Sequence, residues 1–341
     1  MTPDTTPTTT TKTRAPAPTA NPETKRLIQQ VGITANGIIT EVGKVIVGKQ
    51  EKLKLVVLAI FTEGSHVLLE DMPGLGKSVL ASALARASGA DFKRVQFTPD
   101  LLPSDINGTF ILNQRTTEFD FRPGPIFTNY LLADEINRAS PKTQSAMLEA
   151  MAEKQVTVEG YTQRLPKPFV VMATQNPVEQ AGTYPLPEAQ MDRFAMKLTM
   201  GYPSAADEAE ILIRRARRGK DDFDVAAIST AEEIVRMQKA IEGVHVSNEL
   251  IQYIANIIDA TRHHEHLLAG ASPRGTQAIF KLARGWAAMH GRDYVVPDDI
   301  KFLVIPAVAH RVILRPEARI RGIKPADVMA TILEQVPVPK V

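Results

Sequence analysis

Cysteine is absent from the 341 residues, tryptophan occurs once, and aromatic side chains make up only 6%. Without thiols the chain forms no disulfide, no thiolate zinc site and no iron–sulfur cluster, and a reducing, cytoplasmic compartment is the simplest expectation. Long apolar runs are also missing. The longest, Leu55 to Phe61, falls far short of the roughly twenty residues that cross a bilayer, so no membrane span is expected. Nor is there a large excess of charge of either sign. A formal net charge of +2 gives no electrostatic reason to expect nucleic acid or an anionic membrane as a partner. The N-terminus lacks a basic-then-apolar signal pattern. Residues 1–22, dominated by Thr, Pro and Ala, read as a disordered tail with too little apolar surface to offset the entropy of ordering.

What remains is an ordinary globular composition, 44% hydrophobic and 23% charged, in a chain long enough for one large domain and a smaller one. Helical spacing of Val42, Val45 and Ile46, and again of Leu53, Val56, Val57 and Ile60, predicts two helices over about 25–61, broken at Val47-Gly48. Short apolar runs follow at His66–Glu70, Phe92–Gln96, Tyr130–Ala133, Phe169–Ala173 and Ala195–Met200. Alternating with helical stretches, they predict an α/β fold built on a parallel sheet covered on both faces. Ser140-Pro141 launches a helix to Glu153, and Glu159-Gly160 joins two short strands over 155–165 as a hairpin. Residues 105–127 form an insertion of mixed character. Beyond Pro203 the start signals are helical, at Ser204, Ser229 (with Glu232 closing a capping box), Ser247, Ser272-Pro273 and Pro297. The division is therefore an α/β domain over 23–203 and an all-helical domain over 204–341.

The chemistry concentrates at Asp71-Met72-Pro73-Gly74-Leu75-Gly76-Lys77-Ser78, between a buried strand and a helix. Gly74 and Gly76 let successive backbone N–H groups point inward, and the helix start at Lys77 adds its positive dipole end, which together cradle phosphate. Lys77 supplies a point charge for the outer phosphates, and Ser78 a hydroxyl ligand for Mg²⁺. Asp71 stands where the strict G-x-x-x-x-G-K-[ST] pattern has its first glycine. The apolar run ending in Asp134-Glu135 presents two carboxylates: Asp134 suits the Mg²⁺ shell, and Glu135 suits polarising water for in-line attack on a phosphoryl group. A further strand ends at Asn176, which can orient that water, because ligands sit outside the carboxyl ends of strands in open parallel sheets.

Asp71 to Ser78, Gln96 to Asp105, Ala133 to Ala139, Ala173 to Pro177 and Tyr184 to Phe194, taken in order, resemble the MoxR family of AAA+ ATPases. The resemblance covers about residues 25–335. It implies that Pro73, Gly74, Leu75, Gly76, Lys77, Ser78 and Val79 belong to Walker A, Asp134 and Glu135 to Walker B, and Asn176 to sensor one. Val47-Gly48 is then the segment packing against adenine. Residues 105–127 become the helix-two insert and 155–165 the pre-sensor insert. Arg193 resembles the arginine finger supplied to a neighbouring subunit, with Arg138 as the alternative, and Arg274 resembles sensor two, reaching the phosphates from the helical domain. ATP/ADP and Mg²⁺ are the implied cofactors. A homo-oligomer, a hexameric ring, is implied, acting on a client or beside a von Willebrand factor A domain protein.

Other readings are an ATPase subunit of a metal chelatase, a nucleotide-gated binding module without turnover, and a DNA motor. The last is disfavoured by the small net charge and the lack of an aromatic-plus-basic stacking segment. His263-His264-Glu265-His266 lacks a further ligand at zinc spacing, Arg214 to Arg218 reads as a solvated basic face at a helix C-terminus, and Trp286 reads as core.

Overall fold

The computed structural model describes residues 21–177 and 183–339, so most of the expected tail lies outside the described residues. The first helix begins a little earlier than expected: α1 (Pro22–Gly43) is capped by the side chain of Asn21, which accepts from the Glu23 N–H. Then follow α2 (Gln50–Phe61), β1 (Val67–Glu70), α3 (Lys77–Ser88) and β2 (Phe92–Gln96). The 105–127 insertion resolves into a short helix, α4 (Pro103–Asn107), and an antiparallel ribbon of β3 (Gly108–Asn113) and β4 (Glu118–Pro123). After it come β5 (Tyr130–Asp134), α5 (Pro141–Glu153), the hairpin β6 (Gln155–Val158) and β7 (Tyr161–Arg164), β8 (Val170–Gln175), α6 (Glu188–Met191) and β9 (Met196–Leu198).

The main sheet has the order β2-β5-β8-β1-β9, and each pairing is parallel. Side-chain alternation sorts its residues between two cores. Val67, Leu69, Tyr130, Leu132, Val170 and Met172 face the helices α1 to α3, whereas Leu68, Leu131, Ala133, Val171 and Ala173 face α5 and the insertion. Burial on both faces is what makes these strands read as continuous apolar runs.

The C-terminal part comprises α7 (Ala205–Arg218), α8 (Ala231–Ile241), α9 (Asn248–His263), β10 (Leu267–Ala269), α10 (Pro273–Met289), α11 (Pro297–Val308), β11 (Ile313–Leu314), α12 (Pro316–Ile320) and α13 (Pro325–Gln335). It is helical but not wholly so, because β10 and β11 pair as a small antiparallel ribbon. The cap of α8 is Thr230 with Glu233, one residue beyond the expected Ser229 and Glu232. Both registers satisfy the same S/T-x-x-E pattern, and Ser229 also bonds Glu233. Trp286 is buried and stacks on Phe302 at 4.6 Å. The hydrophobic core crosses residue 203 without interruption: Ile28 and Ile38 of α1 share it with Ile234, Leu282 and Leu303.

Candidate active site

The strand tips of β1, β5 and β8 adjoin in the sheet, and the loops leaving them enclose a cavity of about 340 Å³ lined by Gly74 to Ser78, Asp134, Glu135 and Asn176. Gly74 and Gly76 have φ of 83° and 75°, in the left-handed region where a side chain is strained. Beyond the adjoining residues, no heavy atom lies within 4 Å of where their Cβ atoms would be, so the cradle is open. Gly76 caps α3 without any side-chain hydrogen bond, which leaves the first amides of the helix free to receive an anion. Lys77 Nζ donates to the carbonyls of Asp71 (2.8 Å) and Met72 (3.0 Å). Burial pushes its ammonium below the ordinary lysine value, while the Asp71, Asp134 and Glu135 carboxylates pull the other way.

Asp71 is only 4% exposed. Its carboxylate accepts the backbone N–H groups of Met200 (2.7 Å) and Gly201 (2.8 Å), tying the phosphate loop to the segment that leads into α7. At the β5 tip, Thr174 Oγ1 donates to Asp134 Oδ1 (2.6 Å) and accepts the Glu135 N–H (2.8 Å). Glu135 has φ of 55°, a conformation costing about 1–3 kcal/mol in a non-glycine residue, and the Thr174 bond helps to hold it. Arg94 Nη2 donates to Asp134 Oδ2 (2.6 Å) and Gln96 Nε2 to Glu135 Oε2 (2.8 Å). Asn176 is buried and its carbonyl accepts from Asn137 Nδ2. Arg138, the alternative finger, pairs within this chain with Glu135 at 3.1 Å.

Thr174, Arg94 and Gln96 hold functional groups in place without belonging to any pattern that assigns them a role. Thr174 had a signal, a hydroxyl within an otherwise apolar buried strand. Arg94 and Gln96 look like the solvated face of a strand until β2 is paired beside β5.

Pro73 to Gly76 and Val79 also border a second cavity, of about 590 Å³, walled by Val45 to Val47, Tyr202, Ile211 and Leu212. Its size and largely apolar wall suit a nucleoside. Val47 lines it. Gly48 does not, and sits with φ of 72° where a Cβ would come within 2.3 Å of the Asp207 carboxylate. The basic run at the end of α7 departs from the solvated face expected of it: Arg214 and Arg215 line this cavity, and Arg214 donates to the carbonyls of Gly43 and Lys44.

The sequence of the chain is matched by the model of the ATPase family associated with various cellular activities (AAA) over residues 66–196, and by that of the AAA lid domain over 259–332. It is 41% identical to the protein named Chaperone MoxR1 of Mycobacterium tuberculosis, over 90% of this chain and 83% of that one. It is 32% identical to Protein MoxR of Methylorubrum extorquens, over 88% and 93%. The chain belongs to the MoxR family of AAA+ ATPases. YeaC of Bacillus subtilis is 48% identical over 88% of this chain and 93% of its own length. A crystal structure of a candidate ATPase from Cytophaga hutchinsonii superposes with a TM-score of 0.86 at 41% identity, covering 93% of this chain and 98% of that one. As a MoxR-family member the protein is an ATP-hydrolysing enzyme, with an AAA core and a helical lid. No helix among the described residues is long and apolar enough to cross a membrane.

The donor set fits a magnesium ion. Ser78 and Asp134 line the same cavity with oxygen donors only, as a hard cation requires. Among the described residues no group of three or more acidic or imidazole side chains gathers to hold a metal alone. Phosphate and water oxygens would complete the shell.

Arg193 and Arg274 do not line the phosphate cavity of their own chain. Arg193 Nη1 donates to the Leu148 carbonyl (2.6 Å), and Arg274 approaches Asp192 at 4.0 Å. They line a third cavity, of about 250 Å³, together with Lys154, Lys281, Arg311 and Asp192. Arg274, in the lid, thus stands beside the candidate finger.

Proposed function

We propose that this MoxR-family protein works as a homo-oligomeric ring, hexameric in form, whose Mg²⁺-dependent ATP hydrolysis drives chaperone-like remodelling or activation of a partner protein or the assembly of a metal cofactor. The observation that carries the reading is the joining of a nucleoside-sized cavity to a phosphate cavity through one shared loop, Pro73 to Gly76. In the phosphate cavity Lys77, Ser78, Asp134, Glu135 and Asn176 converge.

In this reading the loop amides and Lys77 bind the β- and γ-phosphates, and Val47 packs against adenine. Ser78 and Asp134 hold Mg²⁺, which when bound neutralises phosphate charge. Glu135 takes a proton from the attacking water as its oxygen bonds to the γ-phosphorus; the bond to the bridging oxygen breaks and its electrons leave with ADP. Asn176 orients that water.

The arginine-lined cavity supports a site split between subunits, since its basic side chains outnumber its one carboxylate and suit a neighbour's triphosphate. Arg193 is assigned as the finger and Arg274 as sensor two, both acting across the interface. The α/β domain over 23–203, the lid from 204, a cytoplasmic location and a client or von Willebrand factor A domain partner belong to the same proposal. The name of Chaperone MoxR1 supports the chaperone-like role.

Glu135→Gln tests the chemistry. Phosphate release should fall about 10²- to 10⁴-fold while labelled ATP still binds; unchanged release would refute the assignment. Turnover per subunit should also rise with protein concentration.

A further inference from the structure

The loop that carries Arg193 is held from the lid. Arg311, in the 3-10 turn Ala309–Arg311 after α11, has a side chain only 3% exposed. Its guanidinium donates to residues on both sides of Arg193: through Nη1 to the carbonyl of Asp192 (3.0 Å) and to its carboxylate, and through Nη2 to the carbonyl of Phe194 (2.6 Å). Nε is anchored on the Ala307 carbonyl (2.8 Å). Two more lid residues grip the same loop. Ser272 Oγ, the cap of α10, donates to Asp192 Oδ2 (2.8 Å), and His310 Nε2 donates to the Phe194 carbonyl (3.0 Å). Arg193 itself is held by one bond to Leu148, and its Nε is buried with no acceptor. An unanswered buried donor is costly, which favours turning the guanidinium toward a better acceptor.

We infer that Arg311 is a positioning residue for the finger: by bracketing Arg193 from the lid, it makes the direction of Arg193 depend on how the lid sits against the sheet. This rests on the reading of Arg193 as a finger serving a neighbouring subunit. The lid in turn has a stake in the nucleotide, because α7 forms one wall of the nucleoside cavity. The lid thus both walls the nucleoside cavity and brackets the arginine offered to the next subunit. A planar fork with several fixed donors suits such a bracket, and a lysine cannot reproduce it.

Mixing subunits separates this role from a merely structural one. Arg311→Met rings should turn over about 100-fold more slowly, as a misplacement near 1 Å costs, yet bind labelled ATP within about twofold of the parent. The lost turnover should return when Arg311→Met subunits, with an intact site but a misdirected finger, are mixed with Glu135→Gln subunits, which have a sound finger but no base. Arg311→Lys should lie between. Should Arg311→Met not fold, Asp192→Asn decides in its place, since it removes the carboxylate from the same bracket. Arg193→Ala mixed with Glu135→Gln is the control. If the control pair recovers and the Arg311 or Asp192 pair does not, the inference is overturned. If neither recovers, the shared-site reading falls and takes the inference with it.

Discussion

The nucleotide cavities and the arginine-lined cavity of this chain are built in opposite ways. Around the phosphate loop, the polar groups come from adjoining strand tips and the start of α3, and the contiguous residues 73–79 form much of the wall. The arginine cavity is assembled from short pieces at 64–66, 151–154, 192–195, 274–281 and 311. It has no glycine cradle of its own, only cations on side chains. In the proposed reading the first grips a triphosphate, and the second adds charge to one already gripped. The proposal makes each half of a catalytic arrangement, and the lid, which contributes α7 to one and Arg274 and Arg311 to the other, is the part common to both.

The sharpest way to break this comparison is Arg193→Ala. Turnover should drop about 10³- to 10⁵-fold, the span associated with arginine fingers, with nucleotide affinity unchanged in a titration of labelled ATP. Loss of affinity with turnover intact would assign Arg193 to the wrong half.

Acid should then distinguish the two regions. Burial pushes His66 down to about 4 and His310 to about 3, so both are neutral in the fold. His66 lines the arginine cavity, and His310 bonds the Phe194 carbonyl beside it; the phosphate cavity has no histidine in its wall. An unfolded histidine binds its proton near pH 6.5, so stability is level above that value and falls as pH drops from 6.5 toward 4, and further toward 3. For His66 the loss is on the order of 3 kcal/mol. Hydrogen exchange followed down this window should speed up at 192–195 before it does in α3, at 80–88; the reverse order would contradict the assignment.

Thr174→Val makes the smallest change. It removes the bridge between Asp134 and the Glu135 amide, worth about 1–3 kcal/mol for the groups left unanswered, and should slow turnover about tenfold while lowering the melting temperature by only a few degrees. An unaltered rate would mean that the Glu135 backbone is held by its other neighbours.

How much of this was legible in the sequence follows from the same contrast. The phosphate loop, the Asp134-Glu135 tip, Asn176 and the parallel sheet are local patterns, visible because buried strands and their terminal polar residues are contiguous. The hairpin at Glu159-Gly160 was legible too, since both residues take positive φ, as a tight two-residue turn demands. What escaped notice depends on distant segments meeting. β10 and β11 are too short to signal themselves and pair only after α10 and α11 intervene. Arg94 acquires meaning only once β2 lies against β5. The neighbourhood of Arg274 and the reach of Arg311 required the lid to be packed, and no periodicity along the chain encodes that.

Asp71, the departure from the usual glycine, acts as a staple. Two charge-assisted hydrogen bonds fasten the rim of the phosphate loop to Met200 and Gly201, where the chain leaves the sheet. Loop and exit strand therefore travel together: a shift at one end that leaves the other behind must first tear both bonds, so this acid makes grip and pivot a single mechanical part.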